Sequence, residues 1–231
     1  MAIQAGETTF YQAKRGIVQD GLVLNLDAAV DASYSGGTTW RDLAGGNNGT
    51  LTNMNSANLI KNRGNVLLFD GTDEHIVLQD PMTAGDAYMS FSIWFKPDQI
   101  IHNAGLINIK SNPRNLCVFL RTASPTNGVT VNMLQGGGIS TANSSVVADS
   151  WYNIIGVADN GQQTIYLNGS SVASSSTGTS WGSSGSTRFL GRSESNIYYD
   201  GSIASFQIYN RALTAAEVLQ NYNATRHRFG V

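Results

Sequence analysis

Short apolar runs with period-two alternation recur from Gly21 to Tyr209. Phe91-Ser92-Ile93-Trp94-Phe95 and Ile203-Ala204-Ser205-Phe206-Gln207-Ile208-Tyr209 send alternate side chains to opposite faces. That pattern, rich in β-branched and aromatic residues, marks half-buried strands. The same reading predicts strands at 22–26, 66–70, 74–78, 89–96, 105–110, 116–121, 128–134, 145–147, 151–158, 162–167, 188–190 and 201–209. Asp159-Asn160-Gly161 and Asn168-Gly169 separate such runs. Asn and Gly accept positive φ, so both are predicted hairpin turns. One helix is predicted after Thr214, with Glu217 at capping-box spacing and Leu213, Val218, Leu219 and Tyr222 on its apolar side. Residues 170–186 are nearly all Ser, Thr and Gly around Trp181, too little apolar surface for a core, and read as a surface loop. Many short strands, turn punctuation and a single helix define an all-β fold, an antiparallel sandwich. Residues 1–20 read as an N-terminal arm, 21–225 as the domain and 226–231 as a tail.

Composition narrows the picture. The 231 residues are 41% apolar, enough for a full core, and 13% charged. With 14 Lys and Arg against 16 Asp and Glu, the net charge is −2. A dedicated nucleic-acid binder concentrates Lys and Arg, and this chain does not. The single cysteine, Cys117, excludes an internal disulfide and a thiolate zinc site, and its apolar run predicts a buried, inert thiol. No stretch approaches the ~20 apolar residues that cross a bilayer. The N-terminus lacks the basic start and apolar core of a signal peptide, so synthesis in a cytoplasm without membrane insertion is expected.

Four segments carry a family resemblance: 40–51 (Trp-Arg-Asp-Leu-Ala-Gly-Gly-Asn-Asn-Gly-Thr-Leu), Phe69-Asp70-Gly71-Thr72, Trp151-Tyr152-Asn153 followed by Ile165-Tyr166-Leu167-Asn168-Gly169, and 200–214 with Glu217. In this order the chain resembles the concanavalin A-like lectin/glucanase superfamily in its laminin-G-like form. The resemblance implies a two-sheet jelly roll. The lead 10–18 and the ending 221–230 are also similar to laminin-G-like proteins of tailed phages of marine and cyanobacterial hosts. That similarity implies a virion component (head decoration, fibre or tail part), other virion proteins and further copies of the chain as partners, and host surface glycans as a target.

Candidate chemistry follows. Glycoside hydrolysis needs two carboxylates across the scissile bond. The family's glucanases place them as Glu-x-Asp-x-x-Glu on one strand. The four glutamates here, Glu7, Glu74, Glu194 and Glu217, form no such motif, so no catalytic residue is expected. His75, His102 and His227 lie in unrelated contexts, without a Gly-x-Ser-x-Gly turn. Laminin-G-like relatives often hold calcium at the rim, which implies Asp70, Asp73, Glu74 and Asp200 as ligands. The alternative is Asp side chains stabilising their own turns. Trp181, Tyr198 and Tyr199 are the candidate glycan-stacking aromatics. Trp40, Trp94 and Trp151 are expected in the core. Phe10, Tyr11, Lys14 and Arg15 in the arm, with Arg226, Arg228 and Phe229 in the tail, are the expected assembly interface.

Overall fold

The computed structural model of the chain describes residues 16–61, 64–79, 87–111, 114–123, 126–133, 138–176 and 186–231. Phe10, Tyr11, Lys14, Arg15 and Trp181 lie outside the described residues. The strands are β1 (Leu22–Asp27), β2 (Thr39–Trp40), β3 (Gly49–Thr52), β4 (Leu59–Ile60), β5 (Val66–Asp70), β6 (His75–Leu78), β7 (Tyr88–Pro97), β8 (Gly105–Ser111), β9 (Arg114–Arg121) and β10 (Gly128–Met133). They continue as β11 (Ile139–Ser140), β12 (Tyr152–Asp159), β13 (Gln162–Leu167), β14 (Ser170–Ser176), β15 (Ser186–Leu190) and β16 (Asp200–Tyr209), followed by helix α1 (Ala215–Thr225).

Two antiparallel sheets form the sandwich. The first runs β14-β13-β12-β7-β16-β5-β4, with β1 also paired to β16. The second runs β11-β10-β9-β8-β15-β6-β3-β2. Alternation fills the space between them. Met89, Phe91, Ile93 and Phe95 of β7 face Leu116, Val118 and Leu120 of β9 and Val129, Val131 and Met133 of β10 in one buried cluster. Tight turns sit where the chain predicts them. Asn160 and Gly161 take φ of 43° and 88°, and Asn168 and Gly169 take 49° and 78°. The Trp40–Leu51 motif is a turn built on Asp42. Its carboxylate accepts the backbone N–H groups of Asn25, Ala44, Gly45 and Asn47 at 2.8–2.9 Å.

The outer face of the first sheet is covered by residues 16–20 and by the segment from Leu213 through α1 to the tail. Thr214 and Glu217 form the reciprocal capping box of α1. Leu213 and Val218 bury, with Ile155, Val157, Tyr209 and Val18. Tyr209 Oη donates to the Val18 carbonyl and accepts from Asn221 Nδ2, while Val18 N–H donates to Asn221 Oδ1. Residues 16–20, assigned to the arm by sequence, therefore lie against the helix.

Several expectations need correction. Residues 170–176 are not loop but the edge strand β14, paired with β13. Backbone ladder bonds need no buried side chain, so a Ser-rich segment following a well-formed turn can still pair. Residues 145–147 form no strand, because Val146 N–H instead reaches the Asn127 carbonyl and Val147 N–H the Tyr152 hydroxyl. Leu219 is 48% exposed, and Asn221 is buried on α1 beside Val218. Trp40 and Trp94 are buried, but Trp94 points away from the inter-sheet core. Trp151 precedes β12 and is half-buried beside it.

Candidate functional site

The tail expected to grip a partner is engaged within the chain. Phe229 sits between Trp94 and Trp151, with ring centroids 4.3 Å and 4.5 Å away. Arg228 makes a bidentate pair with Asp27 at 2.8 Å and 2.9 Å. Packing an aromatic among aromatics and pairing a guanidinium with an internal carboxylate engages both groups within the chain. Arg226 is exposed near the Tyr222 ring. A cavity of about 250 Å³ remains beside the tail, lined by residues including Leu68, Lys96, Asp98, Trp151 and Arg228.

Of the four acids of the expected calcium set, Asp70 and Glu74 brace the turn between β5 and β6. Asp70 Oδ1 accepts from Thr72 N–H at 2.8 Å, and Glu74 Oε2 accepts from Asp70 N–H at 3.2 Å. The two carboxyl groups also share a hydrogen bond. Glu74 holds Asp70 below its ordinary pKa, and burial followed by Asp70 raises Glu74. Asp200 lies opposite Asp70 in the β5–β16 ladder, its pKa raised by burial and then by Asp98 and Asp70. Asp73 is exposed. The Asp70 and Glu74 oxygens turned to backbone N–H groups are not gathered around a common point, whereas a calcium ion takes six to eight oxygens. Among the described residues no three His, Cys, Asp or Glu side chains are placed to hold a metal ion.

Of the aromatics, Tyr199 is a core residue. It is fully buried, edge-on to Phe69, with its hydroxyl donating to the Ser202 carbonyl. Its ring has no face for a sugar. Tyr198 is half-exposed. It lies on the outer face of the second sheet, near the His75 ring and the Arg192 guanidinium.

That outer face carries the cleft we regard as the site. On β9, Leu116, Val118 and Leu120 point inward, so Cys117, Phe119 and Arg121 point outward. On β10, Thr130 and Asn132 do the same, and Thr130 is directly opposite Phe119. Residues 191–197 arch over β8. A Cβ at Gly105 would lie 2.5 Å from the Arg192 carbonyl carbon and the Ser193 nitrogen, so the overhang requires glycine there. Arg192 anchors the arch, stacked 4.5 Å over the Phe189 ring and hydrogen bonded to Asn196. Ser193 Oγ accepts from Ile197 N–H at 3.0 Å. Lys110 pairs with Glu194 above the buried Asn108 and Cys117. Burial pushes the Cys117 thiol up to about 12, so it is inert as expected. The resulting cleft of about 240 Å³ is walled by Phe119, Arg121, Thr130, Asn132, Asn103 and the arch residues Ser193–Ser195. One signal in the sequence pointed here: Phe119 and Arg121 occupy the solvent-facing parity of an otherwise apolar strand.

Sandwich, capped helix and an open polar cleft with one aromatic wall define a lectin-type domain. The chain belongs to the concanavalin A-like lectin/glucanases superfamily, whose laminin-G profile matches residues 70–219. Among solved structures it is similar to domain 4 of AbnA, an extracellular arabinanase of Geobacillus stearothermophilus in complex with arabinotriose. The TM-score is 0.66 at 18% identity, over 87% of this chain and 98% of that one. It also resembles part of Trypanosoma rangeli sialidase, with TM-score 0.64 at 13% identity, over 90% of this chain and 33% of that one. The binding domain of botulinum neurotoxin serotype D matches with TM-score 0.62 at 14% identity, over 89% of this chain and 51% of that one. No curated protein matches the chain.

Proposed function

We propose that this protein is a non-enzymatic saccharide-binding module, and that the cleft under the 191–197 arch is its binding site. The observation that carries the reading is the cleft's wall: the Phe119 ring beside amide, hydroxyl and guanidinium groups from Asn103, Arg121, Thr130 and Asn132. A sugar ring presents an apolar C–H face to an aromatic and hydroxyls to such donors and acceptors. The family and the arabinotriose-bound neighbour support the same ligand class. Among the described residues Glu194 is the one carboxylate lining the cleft, and it is held by Lys110, so they supply no pair of the kind that glycoside hydrolysis uses.

The likeness of residues 10–18 and 221–230 to tailed-phage proteins supports a finer reading. In it the module is displayed on a virion, with other virion proteins and further copies of the chain as neighbours and host glycans as the target. Many copies on one particle would raise weak single-site affinity through avidity. A glycan array with wild type and Phe119→Ala tests the site. Binding by wild type that falls about tenfold or more in the variant is expected. No binding by wild type, or equal binding by both, would overturn it. Labelled antibody against the protein decorating purified phage particles is the expected result for the virion reading, and bare particles would refute it.

A further inference from the structure

We infer that the cleft selects acidic saccharides, those that carry a carboxylate, and that Arg121 reads that group. This rests on the saccharide reading above and adds the charge of the ligand.

Arg211 pairs with Glu217 and Asp20, and Arg228 pairs with Asp27. Among the described residues Arg121 pairs with no carboxylate. Its Nη1 donates to Asn103 Oδ1, a neutral acceptor, and its Nε is buried without a partner. A guanidinium offers five donors in a planar fork matched to a carboxylate's two oxygens. Asn103 fixes the side chain in the cleft wall; Asn103 itself takes φ of 62° and donates its N–H to the Leu120 carbonyl. The fork is therefore anchored at one end from the strand that carries it. Around it stand Phe119 for a ring face, and Thr130, Asn132, Ser193 and Ser195 for hydroxyls. Glu194 does not oppose an anion, because Lys110 neutralises it. The local balance of Arg121, Lys110 and Glu194 is one positive charge in a chain whose net charge is −2. Lysine in place of Arg121 would keep the charge and lose the fork.

The test uses matched pairs that differ at the carboxylate alone: oligogalacturonate against its methyl ester, and sialyllactose against its methyl ester. The full chain is titrated calorimetrically with each at low and at 0.5 M salt. Wild type is expected to bind at least one acid about tenfold or more tighter than its neutral partner, with the preference shrinking in salt. Which pair shows it separates a uronic from a sialic source. Arg121→Gln should abolish the preference, so that acid and neutral forms bind alike, while Arg121→Lys should keep part of it. Thermal unfolding confirms that each variant is folded, and the ester arm needs no variant. Equal binding of acid and neutral forms by wild type, or a preference that survives Arg121→Gln, overturns the inference and leaves the saccharide reading standing. Binding of none of the four sugars overturns both.

Discussion

Glu217 accepts from the Arg211 guanidinium and closes the capping box with Thr214. Those contacts, the Arg211 hydrogen bond first, lower its pKa from 4.5 to about 2. A carboxylate depressed on folding adds stability above its unfolded pKa and loses it as pH falls toward the folded value. Glu217→Ala should therefore cost about 1 kcal/mol at pH 7, a figure kept small because the pair is partly exposed. Wild type should shed that advantage between pH 4.5 and 2, so that denaturant midpoints of the two proteins converge in acid. Parallel curves across that window would refute the assignment. The box was legible because Thr214 and Glu217 meet within one helical turn. Tyr198 and Tyr199 show where residue identity falls short: adjacent positions near a strand face opposite ways, so one ring meets solvent and its neighbour packs on Phe69. Applying alternation there would have separated them.

Among the elements, the 191–197 arch shapes the cleft, and Gly105 is the point over which it passes. Gly105→Ala puts a methyl group 2.5 Å from two backbone atoms of the arch. Backbone cannot rotate away as a side chain can, so the arch must lift, at about 1–3 kcal/mol. The expected outcome is a folded protein by circular dichroism with a lower melting temperature and weakened saccharide binding by calorimetry. Undiminished affinity would mean that the arch does not form the wall. Elements with strong local signals, such as β7, β12, β13 and β16, could be read from alternation. β14 could not, because its pairing is a backbone matter and its side chains, mostly serine, carry no hydrophobic code. The arch carries no periodicity either, and the short β2, β4 and β11 are too brief to alternate.

At the scale of the molecule, the ends of the chain close the structure. β1 pairs with the second half of β16, Arg228 reaches Asp27 across 201 residues, and Phe229 seals the aromatic stack on Trp94. Removing residues 226–231 exposes that stack and strands Asp27 without its cation. We expect a loss of about 3 kcal/mol in a single, still cooperative unfolding transition, with tryptophan emission shifted to the red. An unchanged midpoint, or a separate low-temperature transition, would show that the tail is an appendage. Alternating polarity and Asn-Gly turns were enough to specify a two-sheet sandwich, since each acts over a few residues and needs no distant partner. The cleft is different. Asn103, Arg121, Asn132 and Ser193 are distant along the chain and meet because β10, β9, β8 and β15 lie side by side and the arch folds back over them. Their proximity is a property of strand order, which long-range pairing settles. The same holds for the tail: a basic, aromatic hexapeptide reads as a free grip until the sheet beneath it supplies Trp94, Trp151 and Asp27.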